Sequence, residues 1–155
     1  MRALVWHGKN DIRCDTVKDP GIEDAKDVVL KVTATAICGS DLHLMDGVMP
    51  GMQSGDILGH EFMGEVVEIG SEVTRLKKGD RVVVPFTIAC GDCFFCNRSE
   101  PHLCQKNKPH GGLMDGTSRV RLNGEEIAVM SFLGNMAEYA VVPGICVAKI
   151  DEDVS

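Results

Sequence analysis

No run of about 18 consecutive apolar residues occurs in this chain, so nothing in it reads as a membrane-spanning helix. The first residues, MRALVW, carry no basic start leading into a long apolar stretch, and no secretory leader is expected. Basic residues are in deficit: 16 Lys and Arg against 23 Asp and Glu leave a net charge of -7. A dedicated nucleic-acid binder needs the opposite balance, because it must neutralise phosphates. Internal repeats and low-complexity tracts are missing. So are a G-x-G-x-x-G turn and the alternation of strands and helices that could house one, so no Rossmann unit is expected in these residues. Together the absences predict a protein with no nucleic-acid partner and no membrane partner, working in the cytoplasm.

What is present fits one globular domain: 155 residues, 44% hydrophobic, with 17 glycines for turns. The texture is mainly β with short helices. Residues 3–6, 62–69, 81–84, 138–142 and 146–150 read as strands. Val28, Leu30, Val32, Ala34 and Ala36 alternate with Val29, Lys31, Thr33 and Thr35, the period of a half-buried strand. Asn123-Gly124 between 120–122 and 125–129 reads as a hairpin turn, since both residues tolerate positive φ. Residues 41–46 read as one short helix with Ser40 as its cap.

Residues 85–118 have no regular pattern, and a long irregular segment in a compact domain needs something to hold it. Four of the seven cysteines are there: Cys90, Cys93, Cys96 and Cys104, in a C-x2-C-x2-C-x7-C spacing. In a reducing compartment such thiols are better metal ligands than disulfide partners. Four thiolates with no open position are the donor set of a structural zinc. Two other readings stand beside it, an iron–sulfur cluster and metal-free thiols. The bacterial ferredoxin run ends in a three-residue gap followed by Pro; here the last gap is seven residues and Gln105 follows. His102, inside the lobe, is expected at the surface.

A second set of candidate ligands lies in Cys38-Gly39-Ser40-Asp41-Leu42-His43 and in Gly59-His60-Glu61-Phe62-Met63-Gly64. Chemistry alone leaves two readings. A Cys at a strand end is often a small buried hydrophobe; Cys and His together also suit a zinc with an open position. Cys14 and Cys146 are expected as small buried residues on strands, and His7 and His110 have no evident partner. Met45, Met49, Met52 and Met63 lie near the second set, as core filler or as pocket wall.

G-H-E-x2-G-x5-G-x2-V, running from Gly59 to Val73, resembles the signature of the zinc-dependent medium-chain alcohol dehydrogenases. Cys38, Asp41, the segment Lys78-Gly79-Asp80-Arg81-Val82 and the four-cysteine lobe agree with that family in order and spacing. The resemblance spans roughly the whole chain. It implies one GroES-like catalytic domain over 1–155, a partly open β-barrel with a zinc lobe at about 88–110. Asp115 to Arg119 is similar to the class I and class III, formaldehyde-dehydrogenase-like branch, and earlier segments are similar to bacterial formaldehyde and threonine dehydrogenases.

The same resemblance implies roles. Cys38 and His60 would bind a catalytic zinc, with Glu61 beside it. Asp41 would accept a hydrogen bond from the other nitrogen of His60. Ser40 would bind the substrate alcohol or aldehyde, and His43 would pass the proton to solvent. NAD(P) would belong to a longer parent protein only; Gly39 stands where several family members carry a basic residue near the cofactor pyrophosphate. The third protein ligand of the catalytic zinc would follow residue 155, so the isolated chain is expected to be a truncated catalytic domain with little or no activity. The alternative is a stand-alone zinc-binding scaffold with no catalysis.

Overall fold

The computed structural model describes residues 1–48, 52–106, 121–122, 125–126 and 134–154. Nine strands and one α-helix are described, in the order β1 (Arg2–Gly8), β2 (Asp11–Thr16), β3 (Asp27–Thr35), α1 (Gly39–Met45), β4 (Phe62–Ile69), β5 (Arg81–Val84), β6 (Arg121–Leu122), β7 (Glu125–Glu126), β8 (Tyr139–Pro143) and β9 (Ala148–Lys149). All their ladders are antiparallel. The main sheet runs β8-β3-β4-β5-β9, and β1 pairs with β2 as a separate ribbon.

The main sheet cannot be flat. Its two edges, β8 and β9, are joined only by the residues between Pro143 and Ala148, and three of these, Gly144–Cys146, coil into a 3-10 turn. Strands stand about 4.8 Å apart, so a flat five-stranded sheet would separate its edges by about 19 Å. A linker contracted to about 2 Å per residue along its coiled part falls short of that. The sheet therefore curls until its edges approach, which gives the partly open barrel.

Inside the curl lies the main core: Val28, Leu30, Val66, Val82, Val84, Ile88 and Val142, each 1% exposed or less. Burying such side chains contributes about 1.5–3 kcal/mol each. Glycines of the 59–73 segment set its close approaches. A Cβ on Gly64 would stand 2.5 Å from the Lys31 carbonyl oxygen, and one on Gly70 2.3 Å from that of Ala25.

The structure corrects several expectations. β3 does not alternate: Asp27, Val28, Val29 and Leu30 are all buried, because both faces of this half are covered, Val28, Val29 and Leu30 all joining the main core and Asp27 accepting from the Glu23 and Asp24 N–H groups. In the second half Lys31, Thr33, Ala34 and Thr35 are exposed, and the pairing with β4 shifts register after Val29 and Val32. The strand at 146–150 shrinks to Ala148–Lys149, since Cys146 belongs to the coiled turn. β2 was not expected as a strand; its sequence DIRCDT has no clear apolar period, and pairing with β1 makes it one. Cys14 is exposed on this edge strand, whereas Cys146 is buried. His7 does have a partner: its Nε2 lies 2.6 Å from Asp15 Oδ2 across the ribbon. His110 and the turn at 123–124 lie outside the described residues, as do Met49 and Asp115 to Arg119.

Candidate metal centres

The lobe after β5 is tied by surface contacts, among them the Lys106–Asp92 ion pair at 3.0 Å and the Phe94–Phe95 ring contact, and not by a buried core. Among the described residues, no side chain from 91 to 103 belongs to any of the three buried apolar clusters. Two single 3-10 turns, Cys96–Arg98 and Pro101–Leu103, fold the chain back, with Gly91 and Ser99 at positive φ. The result brings the Sγ atoms of Cys90, Cys93, Cys96 and Cys104 within 4.8 Å of one another. His102 is exposed and is not in this cluster.

The thiols differ in their surroundings. Backbone N–H groups, that of Cys96 foremost and then that of Gln105, hold the Cys93 thiol down to about 6. Burial pushes Cys90 up to about 12. Amides aimed at sulfur favour a thiolate, and a metal bound by such thiolates would contribute to the order of a loop without a core of its own. This donor set fits a tetrahedral zinc. Cys146 ties the lobe to the barrel, donating to Ala89 O and accepting from Ala89 N–H, both at 3.3 Å, one residue before Cys90.

The second centre is built by α1 and the segment before β4. α1 begins at Gly39 with Cys38 as its cap residue. Asp41, not Ser40, reaches back as the capping side chain: its Oδ2 accepts the Cys38 N–H at 2.8 Å. That leaves the Ser40 hydroxyl to face His60 Nε2 at 3.3 Å. Glu61 Oε1 lies 4.0 Å from the same nitrogen. One donor atom each from Cys38, His60 and Glu61 falls within 4.8 Å of the others.

The other face of the imidazole is equally specific. His60 Nδ1 stands 3.6 Å from Asp41 Oδ1, with both side chains almost fully buried. Neither atom has a hydrogen-bond partner among the described residues. An imidazole whose Nε2 serves a metal carries its proton on Nδ1, directed at a carboxylate. The orphaned pair is what such a ligand needs, so these residues fit a metal.

Around this centre, Met52 packs against Leu44, Leu58 and Met136. Two neighbours were not found by sequence reasoning. Phe86 stands edge-on to His60, centroids 6.4 Å apart at 88°, and is 60% exposed. Asn135 lies fully buried beneath the 59–61 turn. Gly39 opens on free space, with nothing within 4 Å of a Cβ placed there. His43 is exposed on α1. A cavity of about 420 Å³ opens elsewhere, beside Arg75, Asp92, Lys106 and Ile145, and neither Cys38 nor His60 lines it.

Residues 24–152 match the alcohol dehydrogenase GroES-like domain family. The chain belongs to that family. An uncharacterised zinc-type alcohol dehydrogenase-like protein of Bacillus subtilis is 50% identical over 111 residues, covering 72% of this chain and 29% of the relative. Formaldehyde dismutase of Pseudomonas putida is 38% identical over 149 residues, covering 92% and 35%. Among solved structures, an alcohol dehydrogenase of Thermus sp. ATN1 superposes with a TM-score of 0.80 at 34% identity, over 100% of this chain and 41% of that one. This GroES-like chain thus spans about a third of the length of the curated relatives it matches. None of its described helices is long and apolar enough to cross a membrane.

Proposed function

We propose that residues 1–155 form the catalytic domain of a zinc-dependent, NAD(P)-linked alcohol or aldehyde dehydrogenase. Cys90, Cys93, Cys96 and Cys104 would hold its structural zinc, and Cys38 and His60, with Glu61 beside them, its catalytic zinc. The reading rests on one observation above all: the donors of Cys38, His60 and Glu61 converge within 4.8 Å.

Bound there, zinc supplies Lewis acidity, polarising the substrate oxygen and lowering the pKa of an alcohol so that hydride can leave for a nicotinamide. The chain's own residues do the rest. Cys38 contributes a thiolate and His60 a neutral imidazole. Asp41 fixes both, through the Cys38 N–H and the His60 ring. Ser40, whose Oγ lies 3.3 Å from His60 Nε2, would accept a hydrogen bond from the hydroxyl of an alcohol bound beside that nitrogen. His43 follows three residues later, a neighbouring position on one helix face. Its exposure lets it give the proton to water. Dinucleotides bind at parallel βαβ crevices, and no described ladder is parallel. The isolated chain is proposed to oxidise alcohols slowly or not at all.

Loading the chain with Co(II) and titrating a short primary alcohol or formaldehyde tests this reading. A saturable shift of the visible cobalt bands is expected; bands that ignore every small alcohol and aldehyde would sink it. With NAD and an alcohol, the same chain should form no NADH above the blank, and robust NADH formation would overturn the inactivity.

A further inference from the structure

Three donors converge on one backbone oxygen next to His60. The Glu61 carbonyl accepts from the Ala36 N–H at 3.0 Å, from the Thr35 hydroxyl at 3.1 Å and from Asn135 Nδ2 at 3.4 Å. Asn135 Nδ2 also donates to Thr35 Oγ1 at 2.6 Å. The hydroxyl thus accepts from Asn135 and donates to Glu61, a chain of bonds in which each polarises the next.

Asn135 is 0% exposed, and its backbone N–H points to Gly59 O at 3.4 Å. Its Oδ1 has no partner among the described residues. A buried acceptor left unpaired is unfavourable, and a Leu of similar size would avoid it, so the contribution of Asn135 is its donor. Gly59 makes the room: a Cβ there would stand 2.8 Å from Asn135 Oδ1.

The bonds join two stretches that carry the second centre. Thr35 ends β3 and Ala36 follows it on the way to Cys38; Glu61 follows His60. We propose that Asn135 and Thr35 are positioning residues, a hydrogen-bonded clamp that holds the Cys38 and His60 backbones at the separation a metal needs. The clamp touches no ligand atom and acts through the Glu61 carbonyl. It rests on the metal reading above, and it predicts no effect on the four-cysteine lobe.

Thr35 is exposed, so Thr35→Val exchanges hydroxyl for methyl without disturbing the core. In the 155-residue chain titrated with Co(II), Thr35→Val should weaken binding at the Cys38–His60 site by about tenfold or more, with the lobe's cobalt unchanged. Thr35→Ser restores the hydroxyl and should restore the affinity. In metal-free protein the Ala36 amide should exchange its hydrogen faster in Thr35→Val than in the unaltered chain. Equal cobalt affinity together with equal Ala36 exchange would overturn the clamp, and so would a Thr35→Ser variant as impaired as Thr35→Val. If the unaltered chain takes only one cobalt, the metal reading fails separately, and Ala36 exchange still decides the clamp.

Discussion

His60 Nδ1 and Asp41 Oδ1 face each other across 3.6 Å in a nearly closed space, and neither has a hydrogen-bond partner among the described residues. The second Asp41 oxygen is committed to the Cys38 N–H. One carboxylate therefore orients both proposed donors of the second centre. Asp41→Asn keeps an oxygen for Cys38 but turns an NH2 group toward Nδ1. The imidazole must then accept at Nδ1 and carry its proton on Nε2, where a metal would bind. Affinity at this site should fall by about 10–100-fold, while the lobe keeps its metal. Competition with a chromophoric chelator reads both sites.

If the lobe holds zinc as proposed, its order should depend on that metal, because no described residue from 91 to 103 joins a buried apolar cluster. Cys93→Ser should release the lobe's zinc and lower the thermal midpoint. Cys38→Ser should leave the lobe's zinc in place. Elemental analysis and a melting curve of each variant separate the outcomes; a Cys93→Ser chain with unchanged zinc and midpoint would show that the lobe is not a metal site.

Gly64 faces the Lys31 carbonyl at a distance no Cβ can share. Gly64→Ala must push β3 from β4 at their bulged pairing. The strain should cost about 1–3 kcal/mol, read as a lower denaturation midpoint with unchanged metal content.

Lys149 Nζ lies 2.8 Å from Asp80 Oδ1, and the Lys77 N–H donates to Asp80 Oδ2 at 3.0 Å. The Lys149 ammonium foremost, then the Lys77 amide, holds the Asp80 carboxyl below its ordinary 3.8. A folded pKa below the unfolded one adds stability that is complete above the unfolded value and disappears as pH falls through the folded one. Asp80 in turn raises the Lys149 ammonium above 10.5, so that contribution is lost in strong alkali. Asp80→Asn should lower the neutral-pH midpoint and flatten the acid decline below about pH 4. A parallel displacement of the whole pH profile would contradict this.

Much of the molecule was legible in local pattern. Phe62–Ile69 and Arg81–Val84 fold where their apolar residues put them, bounded by glycines and Pro85. The four-cysteine spacing places four sulfurs together because ligand spacing is itself a local constraint. What was hidden is relational. β2 needs β1 to become a strand. β3 lost its alternation because residues distant in sequence cover both faces of its first half. Ser40 and Asp41 both suit a helix cap, and only the position of His60 shows why Asp41 takes the role. Asn135 reaches Thr35 from 100 positions away, with no motif to mark it.

Two metal centres of different kind are proposed for this chain. Native mass spectrometry of freshly purified protein, unaltered and as His60→Ala, tests them most directly. Two zinc ions per unaltered chain and one per His60→Ala chain are predicted, the survivor being the ion on Cys90, Cys93, Cys96 and Cys104. A single zinc in the unaltered chain would leave a one-metal scaffold, and the loss of both together in His60→Ala would contradict two separate centres.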